Sequence, residues 1–343
     1  MNQKQLFRLK KLAATLALLT VLLGMVTLAR AQTGSTSGSD SANSGGGVIP
    51  ETIDLRPRWT AGQTSRYEFW NQMQQTAEAT LGDRSQTTTG TIEVEGEVTW
   101  TVNKVNADGS SVCTMTLDWM KFTNTPGEGA AMVIDSRKSA SADTKVMHEL
   151  LSAMAEVGLT VEIAPDGHVT AVKGLDKMKN KTSQPDFIPT ELDFEETASD
   201  LAAIAYAPQP FAYESSGGGK AWNADFRWEH DLGKMNQKWA YELARVEDIA
   251  GVPVAVVTGE GRFKLDPEEP EGRPADAPPI NVKLLEGSAE SEVLFDLSRH
   301  EAVGRHSTVR EKVRITVSFP DGRKFVRVLS EESVGQVIRL SEQ

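Results

Sequence analysis

Five histidines, a single cysteine and a few acid doublets are the side chains from which this chain could assemble a reactive centre. His148-Glu149 begins like a helical zinc-protease signature, in which a second histidine one turn later completes the ligand pair. That later position is Ser152, so the signature is broken. His300 and His306 straddle an expected turn and could approach one another, but two imidazoles alone fall short of the ligand count of a zinc site. His168 follows a hairpin turn, where polar residues are routine. Gly217-Gly218-Gly219-Lys220 imitates a phosphate cradle, yet Ala221 occupies the place of the hydroxyl that would reach magnesium, and no strand leads in. It reads as a connector. No Gly-x-Ser-x-Gly elbow occurs, and Glu195-Glu196 and Glu268-Glu269 fall in loops or on solvated faces. Catalytic residues are therefore unassigned, and no cofactor or metal is expected.

Two further groups carry chemistry of a milder kind. Cys113 lies in the alternating stretch Ser111 to Met115, where a thiol reads as a small buried hydrophobe, and as the sole cysteine it excludes an internal disulfide. Trp222, Phe226, Trp228 and Trp239 concentrate aromatic bulk at close to even spacing. Such residues either fill a sheet core or form an apolar face for a lipid, peptide or polymer, and they are the candidate binding face.

The elements that must position these residues begin after a leader. Lys4, Arg8, Lys10 and Lys11 precede an apolar run from Leu12 to Ala29, and Ala29-Arg30-Ala31 has the small-x-small form a signal peptidase reads. Cleavage between Ala31 and Gln32 is expected, giving a periplasmic or secreted protein with no stable membrane span. An uncleaved anchor is the alternative, since the run approaches the length that spans a bilayer. Residues 32–52 form a Gly/Ser-rich tether without core-forming side chains. The formal charge of −12 becomes more negative once the basic leader is gone, which argues against nucleic-acid binding.

Beyond the tether, period-two alternation recurs and is interrupted by turn signals. Arg66 to Trp70, Thr91 to Val105 and Ser111 to Phe122 read as strands, the last two joined through Asn106-Ala107-Asp108-Gly109. Leu159 to Ile163 and Val169 to Val172 flank Pro165-Asp166-Gly167. Trp239 to Val246 pairs with Val252 to Leu265, and Val293 to Leu297 with Ala302 to Thr308. Val309 to Phe319 turns at Pro320-Asp321-Gly322 into Lys324 to Leu329. Val146, Met147, Leu150, Leu151, Met154 and Val157 share one face of a helix over 143–157, capped by Asp143 and stopped at Gly158. A second helix is expected over 191–206, and an exposed loop over 266–279.

The opening Leu55-Arg-Pro-Arg-Trp-Thr-Ala-Gly-Gln-Thr-Ser-Arg-Tyr67 resembles the start of a family of uncharacterised exported bacterial proteins, known only as a domain of unknown function. The hairpin from Val102 to Met115, the Pro-Asp-Gly turn at 165–167 and Phe295-Asp296-Leu297 are similar as well. Gly219-Lys220-Ala221-Trp222 departs from the Gly-Asp-Ser-Trp-like element of that family. The resemblance implies a β-rich fold and export, and nothing about chemistry.

These readings combine into an α+β, β-dominated fold: antiparallel meanders or curved sheets in two related halves, with one or two amphipathic helices. The first β-rich half is expected over 53–185, a helical connector and Gly-rich linker over 186–220, and the second half over 221–343. The expected function is a non-enzymatic envelope protein that binds a lipid, a peptide or another envelope protein. A secreted hydrolase with an unrecognised site and a purely structural module are the alternatives.

Overall fold

The computed structural model describes residues 53–55, 57–139, 145–156, 158–165, 169–174, 221–230, 233–267 and 278–340. The leader, the tether, the helix expected over 191–206, Gly217 to Lys220, His168 and both acid doublets lie outside them.

Strands β1 (Thr64–Leu81), β2 (Arg84–Val105), β3 (Ser111–Pro126) and the short β4 (Met132–Asp135) come first. Helix α1 (Lys145–Glu156) follows, then β5 (Leu159–Ile163) and β6 (Val169–Lys173). The second set comprises β7 (Ala221–His230), β8 (Gly233–Ile249), β9 (Val252–Pro267), β10 (Ile280–Asp296), β11 (Glu301–Ser318) and β12 (Lys324–Arg339). All twelve belong to one antiparallel sheet in the order β6-β5-β3-β2-β1-β12-β11-β10-β9-β8-β7, with β4 paired to β3.

The β-dominated part of the expected class holds, and the α+β part does not. A 12-residue helix packed on β3 is the only helix among the described residues. Its apolar stripe is conspicuous in the sequence, whereas the polar strands around it carry no such local signal. Several strands are also longer than their alternation announced. The stretch β1 runs on through Asn71 to Thr80, and the expected strands over 302–308 and 309–319 are one strand, β11. Long neighbours on both sides supply backbone partners for these polar segments, so pairing rather than side-chain pattern keeps them extended.

One face of the sheet is covered and the other is wet. In β2, Ile92, Val94, Val98, Trp100 and Val102 are buried, while the alternate positions Glu93, Glu95, Glu97, Thr99 and Thr101 are partly exposed. The same parity continues across β1, β3, β8 and β10 to β12, while in β9 four consecutive residues, Val254 to Val257, are buried and both faces are covered. In the second half the covered face holds Trp239, Tyr241, Leu243, Val257, Val293, Phe295 and Val309, and the segment Ile53 to Leu55 packs on top of them. The exposed face carries ion pairs such as Arg66–Glu97 (2.5 Å) and Arg310–Glu332 (3.0 Å), each worth little at such exposure.

Turns follow the expected chemistry where glycine is required. Gly322 has a φ of 84° in the β11–β12 turn, which a side chain would strain. The β8–β9 turn places two residues at positive φ, Ala250 at 54° and Gly251 at 83°, and the Asp248 carboxylate accepts the Gly251 N–H at 2.7 Å. That is the primed geometry a two-residue hairpin favours.

The central seam, where β1 meets β12, joins the two halves. Fifteen register pairs run from Tyr67↔Arg339 to Leu81↔Phe325. Near its end the buried Glu301 carboxylate accepts hydrogen bonds from Gln63 Nε2 (3.1 Å) and Ser65 Oγ (3.3 Å) and pairs with Arg339 at 3.1 Å. A buried charge held by several partners from three segments fixes their mutual register.

Cys113 faces the covered side of β3, opposite Val102 on β2 and Val161 on β5. Burial pushes its thiol pKa up, with the Ser111 hydroxyl 3.7 Å away as a weaker opposing influence. The native thiol is expected to react with an aromatic disulfide reagent at least about a hundredfold more slowly than the urea-unfolded chain. Rapid reaction under native conditions would contradict this placement of β3.

Candidate functional site

Registers make the covered face readable row by row. One row crosses the sheet as Gly90 (β2), Gln75 (β1), Glu331 (β12), Glu311 (β11) and Gly287 (β10). Gly287 abuts Phe263 of β9, since a Cβ there would meet that side chain at 2.7 Å, and Phe263 in turn pairs with Gln237 of β8. Two carboxylates thus stand directly opposite on adjacent strands, where like charges repel.

Glu331 has some compensation. Gln75 Nε2 donates to its Oε1 at 2.7 Å, and the positive charge of Arg327, four residues away on the same strand face, also acts on it. Burial outweighs both and pushes its pKa up to about 7. Glu311 is pushed up to about 8, first by burial and then by the facing Glu331 charge. Its Oε1 is out of contact with solvent and accepts no hydrogen bond. At neutral pH the pair therefore holds at least one proton, as close carboxylates do.

Other polar groups share this face. Gln237 is 1% exposed; its Oε1 accepts the Trp239 Nε1–H at 2.9 Å, and its Nε2 has no partner. Ser291, 8% exposed, leaves its hydroxyl unpaired, as Asn71 leaves its Nδ2, although the Asn71 Oδ1 accepts from Ser333 Oγ at 3.1 Å. Arg305 is buried beside them, and burial lowers its pKa to about 9. Buried donors and acceptors left unfilled each cost stability, so several on one face call for an explanation.

Toward the Leu81 end of β1 the same face turns apolar and opens. Val282, Leu284, Ile315, Val317, Phe325 and Leu329 are only half-buried there, and Ile280 and Leu81 are 39% and 42% exposed. The half-buried carboxyl pair, with Glu311 Oε1 out of solvent contact, marks the inner limit of this surface.

The residues singled out from the sequence take different places. Trp239 is a core residue, 1% exposed. Trp222 is half-buried and stacks on Tyr241 with ring centroids 5.3 Å apart and planes 7° from parallel. Phe226 and Trp228 occupy β7 positions paired with Gln237 and Met235. His300 lies in the β10–β11 turn with its ring edge against Phe295, whereas His306 sits on the exposed face of β11. They are six positions apart, about 20 Å along the extended chain, so they form no joint site. His148 is bonded to the Lys138 carbonyl and to Ser152 Oγ. Among the described residues no three His, Cys, Asp or Glu side chains cluster as metal ligands, and no helix is long and apolar enough to cross a membrane.

Glu311 and Glu331 went unread, although a signal existed. In Val309-Arg-Glu-Lys-Val313-Arg-Ile315 the glutamate occupies the apolar parity, and Leu329-Ser-Glu331-Glu-Ser333 repeats the pattern. A carboxylate in the apolar phase of a strand shares the covered face with its apolar neighbours.

The family model "Family of unknown function (DUF6263)" matches residues 108–192, which span β3 to β6 and α1. No curated protein matches the sequence. Solved structures overlap it distantly. A lipovitellin structure described for its lipid–protein interactions is 10% identical, covering 83% of this chain at a TM-score of 0.40. This chain spans only 26% of that one. A DUF1329 family protein from Desulfovibrio piger is 10% identical over 78% of this chain and 84% of its own, at a TM-score of 0.11. DynF from the dynemicin biosynthesis pathway of Micromonospora chersina is 9% identical over 88% and 91%, at 0.12. Likenesses at these scores carry no argument about function.

Proposed function

We propose that this chain is an exported β protein that binds a small amphiphilic molecule on the covered face of its sheet, without chemistry of its own. In this reading residues 1–31 are the cleaved leader, 32–52 the tether, and the two strand sets a single binding body in the envelope or medium. The observation that carries it is the half-buried apolar surface of Leu284, Ile315, Val317, Phe325 and Leu329, bounded inward by polar groups with unfilled hydrogen-bonding capacity. A sheet face that is merely structural would be closed over such side chains or would be polar. A ligand with an apolar chain and a polar end matches both parts.

The test uses N-phenyl-1-naphthylamine, which fluoresces in apolar surroundings. The purified full-length protein is expected to bind the probe and to release it when a long-chain lipid is added. The double variant Ile315→Asp/Leu329→Asp should lose at least about tenfold in affinity, because two desolvated charges would face the chain. Absence of probe binding, or equal binding by a variant whose circular dichroism is unchanged, would remove the basis for the proposal. N-terminal sequencing of the exported product should begin at Gln32.

A further inference from the structure

We propose that one end of the sheet, formed by the β1–β2 and β11–β12 turns and the start of β10, docks on a lipid bilayer carrying anionic head groups. This goes beyond the ligand-binding reading above and does not depend on it.

Four strands reach this edge together. Register places Leu81 (β1), Phe325 (β12), Val317 (β11) and Ile280 (β10) in one row. With strands about 4.8 Å apart, the row is about 14 Å long. Leu81 and Ile280 stand exposed at its two ends, and Phe319 in the β11–β12 turn is half-buried. Apolar side chains at strand tips face water in the isolated molecule, and a bilayer interface would bury them.

The charge at this end is opposite in sign to that of the whole chain. Residues 78–84, 280–284 and 314–328 contain six basic and three acidic side chains, whereas acids outnumber bases 48 to 36 overall. Arg323 is paired with Asp321 at 2.7 Å. Arg84, Lys283, Arg314 and Lys324 are exposed and join no ion pair among the described residues. Lys283 and Arg314 stand directly opposite on β10 and β11, where like charges repel unless an anion neutralises them. By contrast, Arg66, Lys121 and Arg310 each have an acid on the next strand. Cations flanking apolar tips match a surface of lipid phosphates, and each one held near that surface strengthens the attraction. The acid surplus elsewhere adds little repulsion, since exposed charges more than about 10 Å apart are largely screened at 0.1 M salt. The loop over 266–279, with Glu268, Glu269, Glu271 and Asp276, is the internal competitor for these cations.

The experiment floats the exported product, residues 32–343, with vesicles of phosphatidylcholine alone or with about 30% phosphatidylglycerol, at about 0.1 M salt. Binding to the anionic vesicles is expected to be at least about tenfold tighter than to the neutral ones, and to weaken at about 0.5 M salt. The variant Arg84→Glu/Lys283→Glu/Arg314→Glu/Lys324→Glu should lose at least about tenfold, and Leu81→Ser/Ile280→Ser about fivefold. The charge-reversed variant should still bind N-phenyl-1-naphthylamine as the parent does, which separates docking from the apolar binding face. If a variant does not fold, the parent's preference between the two vesicles decides. Equal binding to both vesicles, or binding to neither, would overturn the proposal. A folded charge-reversed variant that melts at lower temperature and binds vesicles unchanged would assign the cations to the acidic loop, and would overturn it too. A solution dimer that the reversal dissolves, without vesicle binding, would give this end to a second copy of the chain instead.

Discussion

Trp239→Ala is expected to lower the unfolding free energy by about 3–5 kcal/mol, the range for emptying an aromatic site in a packed core. Trp239 is 1% exposed, and its ring approaches Tyr241 at 6.3 Å and Phe263 at 6.2 Å between centroids. Gly261 stands opposite on β9 because nothing larger fits: a Cβ there would lie 2.4 Å from the indole. The backbone thus cannot close over the space that the substitution leaves, and the transfer and cavity costs both remain. The indole N–H is also the donor to Gln237 Oε1, so its loss adds another unpaired buried group. Because whole domains are stable by only about 5–15 kcal/mol, the variant should unfold at much lower urea than the parent. Urea titration followed by far-UV circular dichroism measures this. A change of less than about 1 kcal/mol would show that the ring lies in a ligand surface rather than in the core. The half-buried Trp222 provides the contrast, with a smaller expected loss of about 1–2 kcal/mol.

Glu311→Gln should act in the opposite sense and stabilise the protein above neutral pH. In the folded chain Glu311 and Glu331 titrate near 8 and 7, against 4.5 for an unburdened glutamate. The folded state therefore retains protons that the unfolded state gives up above pH 4.5, and stability must fall as the pH rises from about 4.5 to about 8. The contribution is fully present below 4.5 and lost by about 8. Asp135 works in the reverse direction and in a separate window. The Arg137 hydrogen bond holds its pKa down to about 2, so its stabilisation is present above 3.8 and disappears toward pH 2. Replacing Glu311 with neutral glutamine removes the repulsion and the desolvated charge, with an expected gain of roughly 2–4 kcal/mol at pH 8.5 and little change at pH 4.5. Thermal unfolding across this range, with and without the substitution, checks both the sign and the window. A parent melting temperature that rises steadily from pH 5 to 8 would refute the buried pair.

The legible and illegible parts of the fold divide by the range of the interactions involved. Alternation in Ile92, Val94, Val98, Trp100 and Val102 and the turns at Asp108-Gly109 and Asp321-Gly322 were readable, because side-chain parity and positive φ are local properties. The second half of β1 was not: Asn71 to Gln75 is polar at nearly every position and becomes a strand only because β2 and β12 flank it. The aromatic cluster was visible, but its division into a core member, Trp239, and a half-buried one, Trp222, depended on burial.

The amino-acid sequence by itself determined that the chain forms antiparallel ribbons and which side chains share a face, since a two-residue period is written into each segment. Only the tertiary structure decided that β1 closes against β12, a pairing between positions such as Gln75 and Glu331 at opposite ends of the sequence. It also decided that Glu311 faces Glu331 in a covered row. The reason is that cross-strand register over such a separation is set by the summed burial of the whole sheet, and no local segment records that sum.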